Sequence, residues 1–398
     1  MKSASAFIDD LVARFWRRVE RATETDAESL ACFRVFYCIA VLYCWAPYFS
    51  WINRVPAGFF APPVLSIAKL FPRFPPFPFF ALLDGVLLVS LVCMAVGFRT
   101  RWFTGVYLVG LIVGQSFQYS FGKIDHSMVE LSIVLAMLIA DWGRAGSVDA
   151  LLGRVAASPT AELRRKQGLG LFAVLLAFGM LTAGVPKAVD WLDFDLSTSG
   201  VLCWFYPNRE AVGRVYLLAN FVPHAPRLLL ELGDYGAIAL ELSGFLALLG
   251  SARWFRAWLT VATLFHVLND LTLNIPFLAQ LLTYTAFVDW RRSVPRGASL
   301  VVGLTRAPAL VGVGVISGAA ALYHLVVRWW FGGGSIIVLA PGDKAGDVVE
   351  LYITLVIGLA VLILLIRETK NRWSGPIDPS NQGAAGALTK DESGLVSR

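Results

Sequence analysis

The chain has 398 residues, of which 57% are hydrophobic and only 16% are charged. This composition excludes an ordinary soluble domain, and repeated apolar runs of about 20 residues are typical of a polytopic membrane protein. The net charge of +6 does not indicate nucleic-acid binding, because the lysines and arginines lie between apolar runs instead of forming one basic face.

Residues 1–30 are predicted to form a cytoplasmic amphipathic segment. A cleaved signal peptide is not predicted, because charged residues occupy the place of its apolar core. Apolar side chains recur every four residues beside a group of arginines, at Phe7, Leu11, Phe15 and Val19. Such a helix can lie on the membrane headgroups, or it can be an ordinary solvated helix. Both alternatives stay open at this point.

Ten membrane-spanning helices are predicted from the lengths of the apolar runs. They cover about residues 31–50, 79–97, 101–120, 127–141, 169–186, 234–251, 256–275, 277–290, 302–325 and 349–366. We therefore expect an all-α polytopic membrane protein, a bundle of about ten transmembrane helices in the cell (inner) membrane.

The distribution of basic residues predicts the orientation of this bundle. With the N-terminus in the cytoplasm, the inner segments hold 23 lysines and arginines, and the outer segments hold 10. This excess follows the positive-inside rule and predicts that both termini are cytoplasmic. Arg34 falls early in the first span, where it can snorkel to the inner face or pair with an acid such as Glu241. Snorkelling is the favoured alternative.

The segments between the spans also carry signals. The loop 51–78 is rich in proline and phenylalanine, which favours an interfacial position or a cap over the bundle. Residues 210–222 have the apolar spacing of a surface helix. After two additional transmembrane helices in residues 294–367, the polar residues 368–398 predict a disordered cytoplasmic tail.

A candidate site lies at the end of the fifth span, in the segment 183–191, AGVPKAVDW. Lys187 follows Pro186 at the expected outer end of the span, and Trp191 comes one turn later. Burial disfavours a charged ammonium, so a lysine in this position can be neutral and can act as a general base. The alternative is a lysine that snorkels to the headgroups.

Further polar residues fall near the same outer level. Asp125 and His126 open the fourth span, and His266 and Asn269 lie one turn apart in the seventh. Polar or ionisable residues at membrane depth mark functional sites more often than exposed ones do. A structural alternative exists for two of them. His266 can be a helix–helix hydrogen-bond partner, and Asp125 can cap the fourth helix.

Other kinds of chemistry lack their motifs in this sequence. No HxxxH, ExxH or HxH spacing is present, so no metal site is predicted. A Walker loop, a GxGxxG after a strand and a GxSxG elbow are also missing. The five cysteines show no CxxC pair, which favours structural thiols over a metal or redox role.

The order of several segments resembles the HTTM (horizontally transferred transmembrane) family, which includes the vitamin K-dependent γ-glutamyl carboxylase-like membrane domain. The matching segments are LACFRVFYCIAV, CMAVGFRTRW, DHSMVELSIVLAMLIADWGRAGSVDALL, LTAGVPKAVDW, LELSGFLALL and FHVLNDLTLNIPF. They run collinearly from about residue 29 to 293. On this resemblance, residues 31–293 are the HTTM/carboxylase-like membrane domain.

The resemblance implies a reduced quinone of the vitamin K or menaquinone type as the cofactor. Lys187 falls on the catalytic lysine of the carboxylase, and His126 falls on a histidine of its active site. His266 matches the histidine of the family's FHxxN element, and we expect it to act with these two residues. The residues expected to bind the cofactor are Asn269, Trp191 and Asp125.

Two functions follow from these observations. The first is a quinone-dependent, carboxylase-like enzyme (a quinone-epoxidising lyase) with Lys187 as general base at an outer-leaflet site. Because residues 294–398 supply helices where the carboxylase has a β-rich lumenal domain, its acceptor is expected to be a small molecule, a lipid or a short peptide. The alternative is a non-catalytic membrane protein on the same scaffold, for peptide maturation, export or immunity. A solute transporter is less favoured, because the polar residues cluster on the outer half.

Overall fold

Long apolar runs in a membrane must satisfy their backbone hydrogen bonds within the same segment, and this favours helices. The computed structural model describes residues 4–122, 128–155, 158–213, 215–331 and 344–374. Across these ranges all the regular secondary structure is helical, which confirms the predicted all-α fold class.

The first eight α-helices are α1 (Ala4–Ala22), α2 (Ala27–Ala40), α3 (Phe77–Val96), α4 (Thr100–Gln118), α5 (Met128–Ala140), α6 (Val148–Leu151), α7 (Pro159–Trp191) and α8 (Gly200–Val212). The others are α9 (Arg227–Leu242), α10 (Gly244–Gly250), α11 (Ala252–Leu273), α12 (Leu278–Tyr284), α13 (Trp290–Ser293), α14 (Gly297–Leu304), α15 (Ala307–Phe331) and α16 (Lys344–Ser374).

Within the described ranges, five helical segments are long and apolar enough to cross a membrane. They are Ala27–Arg54, Phe77–Val96, Pro159–Trp191, Ala307–Val327 and Val348–Ser374. The pair formed by α9 and α10 is a sixth candidate, bent by 48° where the two helices meet. The chain is therefore a membrane protein by the length and composition of its helices, and the described residues contain fewer helices that are both long and apolar enough than the ten predicted.

The predicted eighth span, 277–290, is wrong as a single helix. Only Leu278–Tyr284 is α-helical, and a 3₁₀ turn, Thr285–Phe287, follows it. An α-helix of this length rises by only about 10 Å, roughly a third of the hydrocarbon core. Tyr284 and Phe287 are fully buried. The apolar run therefore signals burial inside the bundle rather than a helix of spanning length.

This irregular segment nevertheless connects the two ends of α11. It begins after Leu273, the last residue of α11, and reaches Asp289, whose backbone N–H donates to Glu368 Oε2 at 3.1 Å. Glu368 Oε1 in turn lies 3.8 Å from Nε of Arg256, near the start of α11. The chain thus returns along α11 within residues 274–289, because 3₁₀ and extended backbone rise further per residue than an α-helix.

Helix α1 covers Ala4–Ala22 of the segment predicted to be amphipathic. Its first half leaves Phe7 and Leu11 exposed, whereas Val19 is fully buried. A Cβ atom at Gly170 of α7 would lie 3.1 Å from the side chain of Val19, so the second half of α1 packs closely against α7. Only that second half is anchored on the bundle.

Two other segments have a different secondary structure from the one predicted. In residues 210–222, where a surface helix was expected, α8 ends at Val212 and a 3₁₀ helix covers Ala219–His224. The last helix continues beyond residue 367 to Ser374, with Arg372 donating to Glu368 at 2.9 Å inside it. The rest of the predicted tail, 375–398, lies outside the described residues.

The loop 51–78 forms the predicted cap. Its prolines exclude a regular helix, and aromatic rings hold it against the end of α4 instead. Phe74 stacks on Phe121 with 5.4 Å between the ring centroids, and Phe71 packs edge-on against Phe117 at 5.2 Å. Of the two predicted positions for this loop, the structure thus supports the cap.

Arg34 in α2 is fully buried, so the prediction that it snorkels is wrong, and it does not pair with Glu241 either. Its Nη1 donates to the carbonyls of Trp142 at 2.8 Å and Ala145 at 3.2 Å, and its Nη2 donates to that of Gly146. A guanidinium offers several donors in one plane, so it can satisfy a turn whose carbonyls have no helical partners. Arg34 therefore joins α2 to the turn that follows α5.

Replacing Arg34 with methionine should lower the free energy of unfolding by about 3 kcal/mol, because buried carbonyls lose their donors. Thermal unfolding in detergent micelles, followed by tryptophan fluorescence, measures the change. Arg54→Met is the matched control, since Arg54 is exposed on a 3₁₀ turn. Equal losses in the two variants would contradict the role given to Arg34.

Candidate functional site

Helix α7 carries the predicted site in its last turns. Pro186 removes one backbone donor, but the helix continues to Trp191. Lys187 and Trp191 are four residues apart and lie on one face of the helix. The Nζ atom of Lys187 is 5.5 Å from the centre of the Trp191 ring, which is within the range of a cation–π contact.

Lys187 forms an ion pair with Glu241 of α9. Its Nζ donates a hydrogen bond to Oε1 of Glu241. The Lys187 side chain is 20% exposed and the Glu241 side chain is 4% exposed. The lysine therefore turns toward the bundle instead of snorkelling to the headgroups. Among the described residues, Oε2 of Glu241 has no hydrogen-bond partner.

Close packing of α7 and α9 brings these two charges together. Gly184 faces α9, and a Cβ atom at this position would lie 2.9 Å from Cβ of Glu241 and 3.1 Å from the side chain of Leu242. Glycine allows two membrane helices to approach closely, as small residues commonly do at such interfaces. Lys187, three residues further along α7, then reaches Glu241 directly.

Two more buried acids lie on the same face of α9 as Glu241. Glu231 is 5% exposed and Asp234 is 1% exposed. The Asp234 carboxylate accepts the backbone N–H groups of Gly200 and Val201, both at 2.8 Å. It therefore satisfies the first N–H groups of α8, which have no partners within their own helix.

The turn between α7 and α8 is held by acidic side chains. The N–H of Asp195 donates to Oδ1 of Asp193 at 3.0 Å, and the hydroxyl of Thr198 donates to Oδ2 at 2.7 Å. These hydrogen bonds lower the pKa of the Asp193 carboxyl, and the bond from the Asp195 amide contributes most. Asp193 is therefore ionised at neutral pH and adds negative charge at the end of α7.

A small cavity of about 60 Å³ lies between the end of α7, this turn, α8 and α9. Among the described residues that line it, none is basic and four are carboxylates: Asp190, Asp193, Glu231 and Asp234. The Trp191 ring forms another wall, and it lies so close to Gly200 that a Cβ atom there would be 2.2 Å from the ring. One face of this site is therefore strongly acidic, and Trp191 links it to Lys187.

His266 belongs to a second polar cluster, formed by α11, α12 and the residues between them. It is buried, its Nε2 lies 2.9 Å from the hydroxyl of Tyr284, and its ring centroid lies 4.5 Å from that of Phe277. The contact with Tyr284 is the helix–helix hydrogen bond of the structural alternative. In the contacts described, Lys187 meets Glu241 and Trp191, whereas His266 meets Tyr284 and Phe277.

Asn269 lies at the end of the same helix. Its side chain is partly exposed, and its carbonyl accepts the N–H groups of Asn274 and Ile275, which close α11. Asn274 adopts a left-handed φ of 54°, and its side chain bonds the backbone N and O of Tyr216. In the described contacts Asn269 thus ends a helix. The other predicted site residues, Asp125 and His126, lie outside the described residues.

No family model matches this chain, and no curated protein or solved structure matches it significantly. Within the described ranges, no group of three or more histidine, cysteine, aspartate or glutamate side chains is placed to hold a metal ion. The function is therefore inferred from the geometry around Lys187 and from the motifs in the sequence.

Sequence analysis missed Glu231 and Asp234. It placed Glu241 of the sixth span near the outer level of Lys187, but it did not predict that the two residues form an ion pair. The segment ELGDYGAIALEL carries these acids at intervals of three and seven residues. Such intervals place all three on one face of a helix, within an otherwise apolar run. That spacing was the available signal for an acidic face turned into the bundle.

A double-mutant cycle of Lys187→Met and Glu241→Leu should give a coupling free energy of about 1–3 kcal/mol. Each single change leaves a largely buried charge without its partner, whereas the double change removes both charges. Unfolding in detergent micelles measures all four proteins. The exposed pair Glu162–Lys166 of α7 is the control and should couple much more weakly, because solvent screens it. Equal coupling in the two pairs would refute the structural importance of the inner one.

Proposed function

We propose that this protein is a multi-pass membrane enzyme that transfers a proton at its expected outer surface, with Lys187 as the general base. The observation that supports this proposal is the pair formed by Lys187 and Glu241 at the end of a helix of membrane-spanning length. Charged residues at membrane depth are costly to bury. They therefore mark functional sites more often than exposed charged residues do.

The two members of the pair have different roles in this proposal. The neutral amine of Lys187 accepts the proton on Nζ, and the ammonium that results forms the ion pair with Oε1 of Glu241 described above. The ring of Trp191, 5.5 Å from Nζ, contacts the same ammonium and covers it with an apolar surface. Because Glu241 is buried, its carboxylate acts at short range and with little screening by water.

The resemblance to the HTTM family supports a carboxylase-like reaction on a small-molecule, lipid or short-peptide acceptor. In that chemistry a reduced quinone supplies the proton and is converted with oxygen to its epoxide. The cavity beside Trp191 has a volume of only about 60 Å³. Pockets that bind drug-sized ligands have volumes of about 300–1,000 Å³, so a quinone does not fit this cavity.

The alternative is a non-catalytic membrane protein on the same scaffold, acting in peptide maturation, export or immunity. Two observations favour it: the cavity is small, and His266 has the contacts of a structural hydrogen bond. In this alternative Lys187 and Glu241 only hold α7 against α9. An arginine in place of Lys187 would then preserve the function.

The proposal includes ten membrane crossings of the cell (inner) membrane, with both chain termini in the cytoplasm. Residues 274–289 support this number, because they return along α11 and supply one crossing without a helix of spanning length. The orientation is supported by the grouping of basic segments at one end of the bundle. Arg256 and Arg372 both donate to the backbone carbonyl of Glu24, and both pair with Glu368, so three segments predicted to be inside meet there.

Reporter fusions test this topology. Alkaline phosphatase inserted after the exposed Leu65 should be active, because the loop 51–78 is expected outside. A green fluorescent protein fused after the last residue should fluoresce, because that end is expected in the cytoplasm. A C-terminal fusion that does not fluoresce, together with an inactive phosphatase after Leu65, would reverse the proposed orientation.

Lys187→Met should lower the turnover of wild-type protein by a factor of about 10² to 10⁴, the usual contribution of a general base. The assay supplies reduced menaquinone and oxygen to protein purified in detergent and quantifies quinone epoxide. Lys187→Arg should be as inactive as Lys187→Met, because a guanidinium does not give up its proton at neutral pH. Lys69→Met, at an exposed lysine of the loop 51–78, is the matched control and should be fully active.

Three outcomes separate the two functions. Epoxide from wild type and Lys69→Met, but not from the Lys187 variants, supports the enzyme. Epoxide that persists in Lys187→Met removes Lys187 from the chemistry. A wild-type protein that neither binds quinone nor forms epoxide leaves the non-catalytic alternative.

A further inference from the structure

We propose that the acidic cavity beside Trp191 binds a primary ammonium group, as carried by a lipid headgroup or by a free amine. This inference goes beyond the proton transfer proposed for Lys187 and does not require it. It rests on the charge of the cavity, on one buried oxygen without a donor, and on the size of the space.

The charge of the cavity is strongly negative. Its lining, in the part of the chain that the structure describes, includes four acidic residues and no lysine, arginine or histidine. The nearby cation, Lys187, is already paired with Glu241. Asp193 is held ionised by the hydrogen bonds of its own turn. A cation in this space would therefore meet attraction from several sides at short range.

Glu231 supplies the observation that points to a ligand. It is 5% exposed and lines the cavity, and its Oε1 has no hydrogen-bond partner among the described residues. The Glu231 carboxylate interacts with the hydroxyl of Tyr235, which also accepts the N–H of Phe194 at 3.2 Å. These contacts fix the orientation of the carboxylate. A buried carboxylate oxygen without a donor is unfavourable, so a ligand that brings an N–H group would be stabilised there.

The size of the cavity selects the kind of cation. A volume of about 60 Å³ corresponds to roughly two water molecules. It accommodates an ammonium group and the first carbon attached to it, whereas a quaternary ammonium is too large. The Trp191 ring, held in place against Gly200, forms an apolar wall beside the carboxylates.

An ammonium group fits these residues better than a metal ion. Both oxygens of Asp234 already accept hydrogen bonds, from Gly200 and Val201, and both oxygens of Asp193 are similarly engaged. A calcium or magnesium ion needs about six oxygen ligands at short distances. An ammonium group needs only a few acceptors at hydrogen-bond length, such as the vacant oxygen of Glu231.

Cys203 allows a direct test, because it lines the cavity and is the one exposed cysteine among the five in the chain. Full-length protein in detergent is treated with methyl methanethiosulfonate, and modification of Cys203 is followed by peptide mass spectrometry. Methylammonium and ethanolamine should slow the modification several-fold. Tetramethylammonium at the same concentration should leave the rate unchanged, because it is too large for the cavity.

Two variants locate the effect. Glu231→Gln should abolish the protection, whereas Glu210→Gln, a matched change at an exposed position near the end of α8, should retain it. If Glu231→Gln does not fold, Asp190→Asn replaces it, because Asp190 is an exposed acid of the same cavity and should weaken the protection.

Nanodiscs distinguish the two sources of the ammonium group. Phosphatidylethanolamine discs should slow modification of Cys203 relative to phosphatidylcholine discs if a lipid headgroup occupies the site. Equal rates in the two discs, with protection by ethanolamine in detergent, identify a free amine. The proposal is overturned if no primary amine protects Cys203, if tetramethylammonium protects equally, or if Mg²⁺ or Ca²⁺ protects better. None of these readouts depends on turnover, so failure of the epoxide assay leaves them intact.

Discussion

Buried charge has to be neutralised by the chain itself, because neither lipid nor packed side chains can hydrate it, and this constraint shapes the bundle. Arg256 and Glu368 are both almost fully buried. Arg256 donates to the carbonyl of Ala22 at 2.8 Å, and Glu368 accepts the hydroxyl of Ser293 at 2.7 Å and Nε of Arg372 at 2.9 Å. Four segments that are distant in sequence are thereby joined at one end of the molecule, because each charge finds its partner on another segment.

The opposite end of α7 meets the same requirement with the acidic face of α9. Glu241 neutralises Lys187, and Asp234 satisfies the start of α8. Glu231 lines the cavity and keeps an oxygen without a donor among the described residues, which makes it the place where a ligand in the cavity can complete the network. Trp191 borders both the lysine and the cavity, so a cation bound in the cavity would reduce the negative potential around Lys187. The proposed base and the proposed ammonium site are therefore linked electrostatically.

Sequence patterns succeeded where neighbours along the chain decide the outcome. The four-residue spacing of α1 predicted an amphipathic helix, and the spacing of Lys187 and Trp191 placed both on one face of α7. The patterns failed where a residue can be apolar either because it is buried in the protein or because it faces lipid. Residues 277–290 are apolar because they fill the interior, and hydropathy does not distinguish such a segment from one that faces lipid. Arg34 was predicted to reach the membrane surface because its partner is distant in sequence. No local pattern shows that the turn at Trp142 lies beside it.

By itself, the sequence determined that this is an all-helical membrane protein and that Lys187 ends one of its apolar helices. These properties depend on composition and on spacing within single segments, which are local. Only the tertiary structure decided which polar groups meet. Lys187 reaches Glu241 across 54 residues and Arg34 reaches Trp142 across 108, and both contacts depend on how helices pack. The acidic cavity was decided in the same way, because it exists only where α7, α8 and α9 enclose it.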